Sequence, residues 1–82
     1  MTLNKNIAVS ETGFIFNPAT GDSFSTNPVG QDVIRWLKEG KSRPEIASAL
    51  TEKYAVDTTT ADKDLGDFFQ MLHTYQLLKD YE

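Results

Sequence analysis

The 82-residue chain has no cysteine, a single histidine (His73), 39% hydrophobic residues and a formal charge of −4. A chain of this length has apolar material for one small core and little left for a deep substrate cleft, so a single domain over residues 1–82 is expected, ordered over about 5–78. Without cysteine there is no disulfide, thiolate metal site or sulfur nucleophile, and one histidine does not assemble a triad, so neither an enzyme nor a resident cofactor or metal is expected.

Short alternating segments come first. Ile7 and Val9 flank Ala8, and in Gly13-Phe14-Ile15-Phe16-Asn17 the two phenylalanines share one face with Ile15 on the other. Phe24 and Thr26 alternate with Ser23 and Ser25 in a third, more polar strand. Asn17-Pro18-Ala19-Thr20-Gly21 supplies a proline for a type I turn and a glycine for a positive φ, which predicts a three-residue hairpin loop. Short polar joins of this kind predict an antiparallel meander whose edges are the first and third strands.

Helical spacing begins at Asn27-Pro28, a capping residue followed by the residue that has no N–H to leave unpaired. Val29, Val33, Ile34, Trp36 and Leu37 are predicted to face the core, with Asp32, Arg35, Lys38 and Glu39 toward water, and Gly40 closes the helix. Ser42-Arg43-Pro44-Glu45 is a capping box that opens a second helix, from about Arg43 to Tyr54, with Ile46, Ala47, Leu50 and Tyr54 inward. Several caps for a third helix lie in Asp57-Thr58-Thr59-Thr60, and Asp62 and Asp64 suit its positive end. On this helix Leu65, Phe68, Phe69, Met71, Leu72 and Tyr75 span about 160°, wider than the roughly 100° needed to dock on a core. Met71 and Tyr75 form the surplus edge. The remainder after Tyr75 is too short for another hairpin and is expected to fray at its end.

Asp57, Asp62, Asp64 and Asp67 do not have the spacing of an EF-hand loop, and they read as solvated or dipole-placed acids. His73 falls at the margin of the apolar arc and reads as a boundary residue. Trp36 reads as core. Gly66 is either a point of close approach or a tolerated helical glycine. No stretch approaches the roughly 20 apolar residues of a membrane span, and the start lacks a signal-peptide core, so the cytoplasm is the expected compartment. The acidic balance disfavours nucleic acid and anionic membranes as partners.

The third strand carries more information. Asp22-Ser23-Phe24-Ser25-Thr26 has neither Lys nor Pro, two devices that keep a free edge from pairing with another chain. Beside it, the surplus arc of Phe68, Met71 and Tyr75 is suited to burying side chains of an added strand, and Met is an adaptable contact residue. The two features together point to peptide binding.

An ordered set of motifs supports the same surface. Phe14-Ile15-Phe16-Asn17-Pro18-Ala19-Thr20-Gly21, Ser23-Phe24, Asn27-Pro28-x-Gly30, Trp36-Leu37-x-x-Gly40-Lys41-Ser42, Glu45-Ile46, Tyr54-x-Val56-Asp57, Asp67-Phe68-Phe69-x-x-Leu72 and Leu77-Leu78 resemble the PqqD-like proteins, named for pyrroloquinoline quinone biosynthesis protein D. The resemblance implies an α+β, winged-helix-like domain, a three-stranded antiparallel meander followed by a three-helix bundle. It implies a non-catalytic chaperone that binds the leader of a ribosomally made precursor peptide and presents it to a modifying enzyme of the radical S-adenosylmethionine type. The implied peptide site comprises Ser23, Phe24, Ser25 and Thr26 on the third strand, with Asp64, Asp67, Phe68, Met71 and Tyr75 on the third helix. Gln76 departs from the pattern, standing where relatives commonly place Gly, which leaves the end of the third helix open.

Two other classes compete. A DNA-binding winged helix has this order of elements, but its recognition helix would carry Asp62, Asp64 and Asp67 against Lys63, and no wing follows it. A homodimerising module would pair the same open edge with its own copy.

Overall fold

A computed structural model describes residues 2–79. Strand β1 (Ala8–Val9), β2 (Phe14–Asn17) and β3 (Asp22–Ser25) form an antiparallel sheet in the order β1-β2-β3, as the meander predicts. Phe16 stands opposite Ala8 on one side and Ser23 on the other, while Ile15 stands opposite Val9 and Phe24. The hairpin after β2 is one residue longer than predicted: residues 18–21 separate the last pair, Asn17 and Asp22, and Gly21 closes the loop at φ +79° with its N–H donating to Asn17 O at 2.8 Å.

The pleat is oriented by Ile15, which is 1% exposed and enters the core. Phe14 and Phe16 share the opposite, solvent-facing side, 48% and 41% exposed. Alternation groups residues by face, but which group enters the core is decided by the helices packed on the sheet.

The helices are α1 (Pro28–Lys38), α2 (Arg43–Tyr54) and α3 (Thr58–Thr74). Their starts follow the local chemistry. Asn27 Oδ1 accepts from Gly30 N at 2.8 Å, and the capping box of α2 is complete, with Ser42 N donating to Glu45 Oε1 at 2.8 Å. Of the candidate caps for α3, Asp57 fills the position and accepts from Thr60 N at 2.7 Å. That backbone bond holds the Asp57 carboxyl below its ordinary pKa. Gly40 follows α1 at φ +84°, and α2 ends on Ala55 at φ +54°, a left-handed position occupied without glycine.

Ile15, Val33, Ile34, Trp36, Leu37, Ile46, Leu50, Leu65, Phe69 and Leu72 belong to one buried cluster. One sequence expectation is corrected around it. Asp32 does not face water but is 5% exposed; its carboxylate receives Lys53 Nζ at 2.7 Å, Arg35 Nη1 at 2.9 Å and the Tyr54 hydroxyl. Residues 21 and 22 positions away in sequence supply the partners that make burial tolerable. The segment after Tyr75 is also tied down as far as it is described. Leu77 and Leu78 are buried, Leu3 and Leu78 form an antiparallel bridge, Asn4 N donates to Leu77 O at 2.9 Å and Lys79 N to Thr2 O at 2.7 Å. The rest of the tail expected to fray, residues 80–82, lies outside the described residues.

The end of α3 explains how Gln76 serves in place of glycine. Leu77 N donates to Leu72 O at 2.8 Å and Gln76 N to His73 O at 2.9 Å, with Gln76 at φ +60°. This is the paired bonding of a Schellman turn, whose left-handed residue is usually Gly. Among the described residues no helix is long and apolar enough to cross a membrane.

Candidate functional site

The site begins with what β3 leaves unbonded. Thr26 N donates to Gly13 O at 2.8 Å, and Phe24 stands directly opposite Ile15. Bonded and non-bonded pairs alternate along an antiparallel ladder, so Phe24 and Thr26 turn their main-chain groups toward β2. Ser23 and Ser25 therefore direct theirs to the open side. The other ladder agrees, since Ser10 N donates to Phe14 O at 2.8 Å and Phe14 is the residue opposite Ser25. An extended chain laid along this edge meets the donors and acceptors of Ser23 and Ser25.

Helix α3 forms the wall beside the edge. The Phe24 ring lies 4.5 Å from that of Tyr75, inclined at 51°. Asn17, 3% exposed, reinforces this corner by donating from Nδ2 to Tyr75 O at 3.3 Å. Further along, Thr26 and Phe68 converge on Gly30, where an added Cβ would lie 3.0 Å from Thr26 Cβ and 3.2 Å from Phe68 Cε1. Phe68 and Met71 are half-buried, whereas Leu65, Phe69 and Leu72 of the same helix are fully buried. The wide apolar arc thus divides into a core stripe and a partly exposed stripe.

Asp64 and Asp67 line a hollow of about 410 Å³ between α1, α2 and α3, whose apolar lining includes Val29, Val33, Leu50 and Phe68; Phe68 also meets Thr26 at Gly30, which places the hollow next to the end of β3. The structure therefore places the nine residues singled out in sequence along two neighbouring elements, though not in equivalent roles. Ser23 and Ser25 offer main chain, and their side chains share the outer face with Phe16 and Phe14. Thr26 commits its hydroxyl to Gly13 O at 3.1 Å. Sequence reasoning missed Gly30, Val29 and Leu50, whose place at the groove is set by helix packing; the Asn-Pro-x-Gly motif was the one signal for Gly30. Among the described residues no group of three or more His, Asp or Glu is gathered where it could hold a metal.

An open three-stranded meander with three helices, one of them walling an unpaired edge strand, defines the structural class. The family model for coenzyme PQQ synthesis protein D (PqqD) matches residues 12–78, and the chain belongs to that family. The structure of TbiB1 in complex with the TbiA(beta) leader peptide is similar over 100% of this chain and 99% of that one, with 29% sequence identity and a TM-score of 0.95. Lasso peptide synthetase B1 complexed with the leader peptide is similar over 95% of both chains, with 22% identity and a TM-score of 0.86, a likeness of fold. No curated protein matches the chain.

Proposed function

We propose that this protein is a non-catalytic binding module that captures the leader segment of a ribosomally made precursor peptide. The peptide adds as a fourth strand at β3 and lays alternate side chains against α3. The observation that carries the reading is the unpaired edge of β3 beside the partly exposed stripe of Phe68, Met71 and Tyr75, supported by family membership and by the leader-peptide complex of TbiB1. Main-chain hydrogen bonds supply registration, and the side-chain contacts supply selectivity.

In this reading the module holds the precursor for a modifying enzyme, for which the radical S-adenosylmethionine class is the candidate, in a cytoplasmic pathway leading to pyrroloquinoline quinone or another modified peptide. The test is a titration of isotope-labelled protein with the synthetic leader of the precursor encoded beside its gene. Amide shifts are expected in residues 22–27 and 64–75. Ser25→Pro gives the sharper readout, because it deletes an N–H aimed away from β2 and blocks the added strand while sparing the sheet. Binding retained by a folded Ser25→Pro variant, or shifts confined to another surface, overturns the reading. Self-association that the peptide does not alter favours a homodimer through the same edge.

A further inference from the structure

The groove between β3 and α3 changes character along its length. At the Phe24 and Tyr75 end it is aromatic; past Thr26 and Phe68, which meet at Gly30, it adjoins a hollow of about 410 Å³ between α1, α2 and α3 that combines apolar walls with two carboxylates. Asp64 and Asp67 are three residues apart on α3, a spacing that puts them on one side of a helix. Both are exposed, and neither is joined to a cation among the described residues; the ion pairs there are those of Asp32 with Arg35 and Lys53 and of Glu39 with Arg35. Lys63, the cation one turn before Asp67, makes no ion pair with it. Asn27, on the same wall, already spends its side-chain oxygen on Gly30 N.

We infer that this hollow receives a Lys or Arg side chain of the docked peptide, with its aliphatic stem on Val29 and Phe68 and its cation between Asp64 and Asp67. The inference rests on the peptide-docking reading and specifies the chemistry of one docked residue. An apolar side chain would shed water from two like charges without answering them, and an acidic one would be repelled by them and by the formal charge of −4. A long cationic side chain matches both parts of the hollow, because its methylene stem buries on apolar surface while its head stays with the carboxylates at the rim. Among the described residues the aromatic end of the groove offers no such pair, so the basic residue occupies one end of the bound segment.

The test is selection of binders from a displayed library of random dodecapeptides on the whole protein, run in parallel on Asp64→Asn/Asp67→Asn and Asp64→Lys/Asp67→Lys. Wild type is expected to enrich Lys or Arg at one fixed position of the aligned peptides. The Asn double variant loses that enrichment, and the Lys double variant replaces it with Asp or Glu. For a selected peptide, each Asp→Asn change is expected to weaken binding by about five-fold at low salt, with the difference shrinking as salt rises. Amide shifts map the docking site in every case. Peptides that bind along β3 and α3 with no basic position, or with a basic position indifferent to both double variants, overturn the inference and leave the groove reading intact. Failure to select any peptide, or binding away from β3 and α3, overturns both. Both substituted positions are exposed, and an unchanged amide spectrum outside residues 60–70 verifies that the variants fold.

Discussion

Phe24 of the edge strand and Tyr75 at the end of α3 hold their rings 4.5 Å apart, so the open edge is braced against the helix that walls it. The Tyr75 ring is 41% exposed, and a tilted aromatic contact of this kind contributes about 0.5–1.5 kcal/mol beyond its area. Tyr75→Ala is expected to lower unfolding free energy by about 1 kcal/mol while weakening peptide binding more than stability. Urea unfolding and peptide titration of the same variant check the split; a loss confined to stability would make the contact a packing feature alone.

Among the described residues two left-handed positions lack glycine. Ala55 at φ +54° and Gln76 at φ +60° each carry the steric penalty of a Cβ in that region, about 1–2 kcal/mol. Ala55→Gly and Gln76→Gly are each expected to stabilise the fold by about 0.5–1 kcal/mol, since relief of the penalty exceeds the added chain entropy. Thermal melts of the single and double variants read this directly, and a fall in midpoint for either would refute the assignment.

Gly30 and Gly66 answer oppositely to the same change. A Cβ at Gly30 meets Thr26 and Phe68 at 3.0 and 3.2 Å, whereas at Gly66 its neighbour is the flexible Arg43 guanidinium at 3.4 Å. Gly66→Ala is expected to stabilise by up to about 1 kcal/mol and Gly30→Ala to destabilise by about 1–3 kcal/mol while pushing Phe68 into the groove. Denaturant titration of the pair decides; equal effects would mean that neither contact is as described.

Met71, half-buried between the core stripe and the groove, separates binding from folding. Met71→Asp is expected to keep the amide spectrum of a folded domain and to lose peptide binding. Global unfolding of this variant would place Met71 in the core and displace the groove.

The contact between Asp32 and Tyr54 shapes both limbs of the pH dependence of stability. Burial raises the Asp32 pKa, but the hydrogen bonds of Lys53, Tyr54 and Arg35 and the attraction of Lys53 leave it below 3.8. That contribution is complete above the unfolded value and is lost as pH falls through the folded one. Tyr54 moves the opposite way, above 10.0, because the hydrogen bond to Asp32, then burial and the carboxylate charge, favour the neutral phenol. Its contribution is present below pH 10.0 and is lost as pH rises through the folded value. Tyr54→Phe should therefore shift the acid limb toward pH 3.8 and flatten the alkaline limb of a urea-midpoint profile. Superimposable profiles would remove the contact from consideration.

Much of the fold is legible because its signals are local. Asn27 with Pro28, and Ser42 with Glu45, settle helix starts within four residues, and Gly40 marks a helix end in the same way. The edge character of β3 and the divided arc of α3 were also readable from short-range patterns. The face chosen by Ile15 over Phe14 and Phe16 was not, since alternation is symmetric until the helices pack. Asp32 misled because a charged residue on a helix normally faces water, and its partners Lys53 and Tyr54 lie on another helix. The burial of Leu77 and Leu78 depends on Leu3, at the other end of the described chain. The hollow beside Asp64 joins α1, α2 and α3, so sequence named its acids without its walls.

The pairing of Leu3 with Leu78 bears on how such a module can be tethered. Thr2 and Lys79 are directly hydrogen-bonded, and the Thr2 segment lies beside Leu37 and Val9 of β1, the border strand opposite β3. A short linker joining these two points would permute the chain, and a fusion at either point would carry the module on a larger protein. In both arrangements the opposite border of the sheet keeps its approach from solvent.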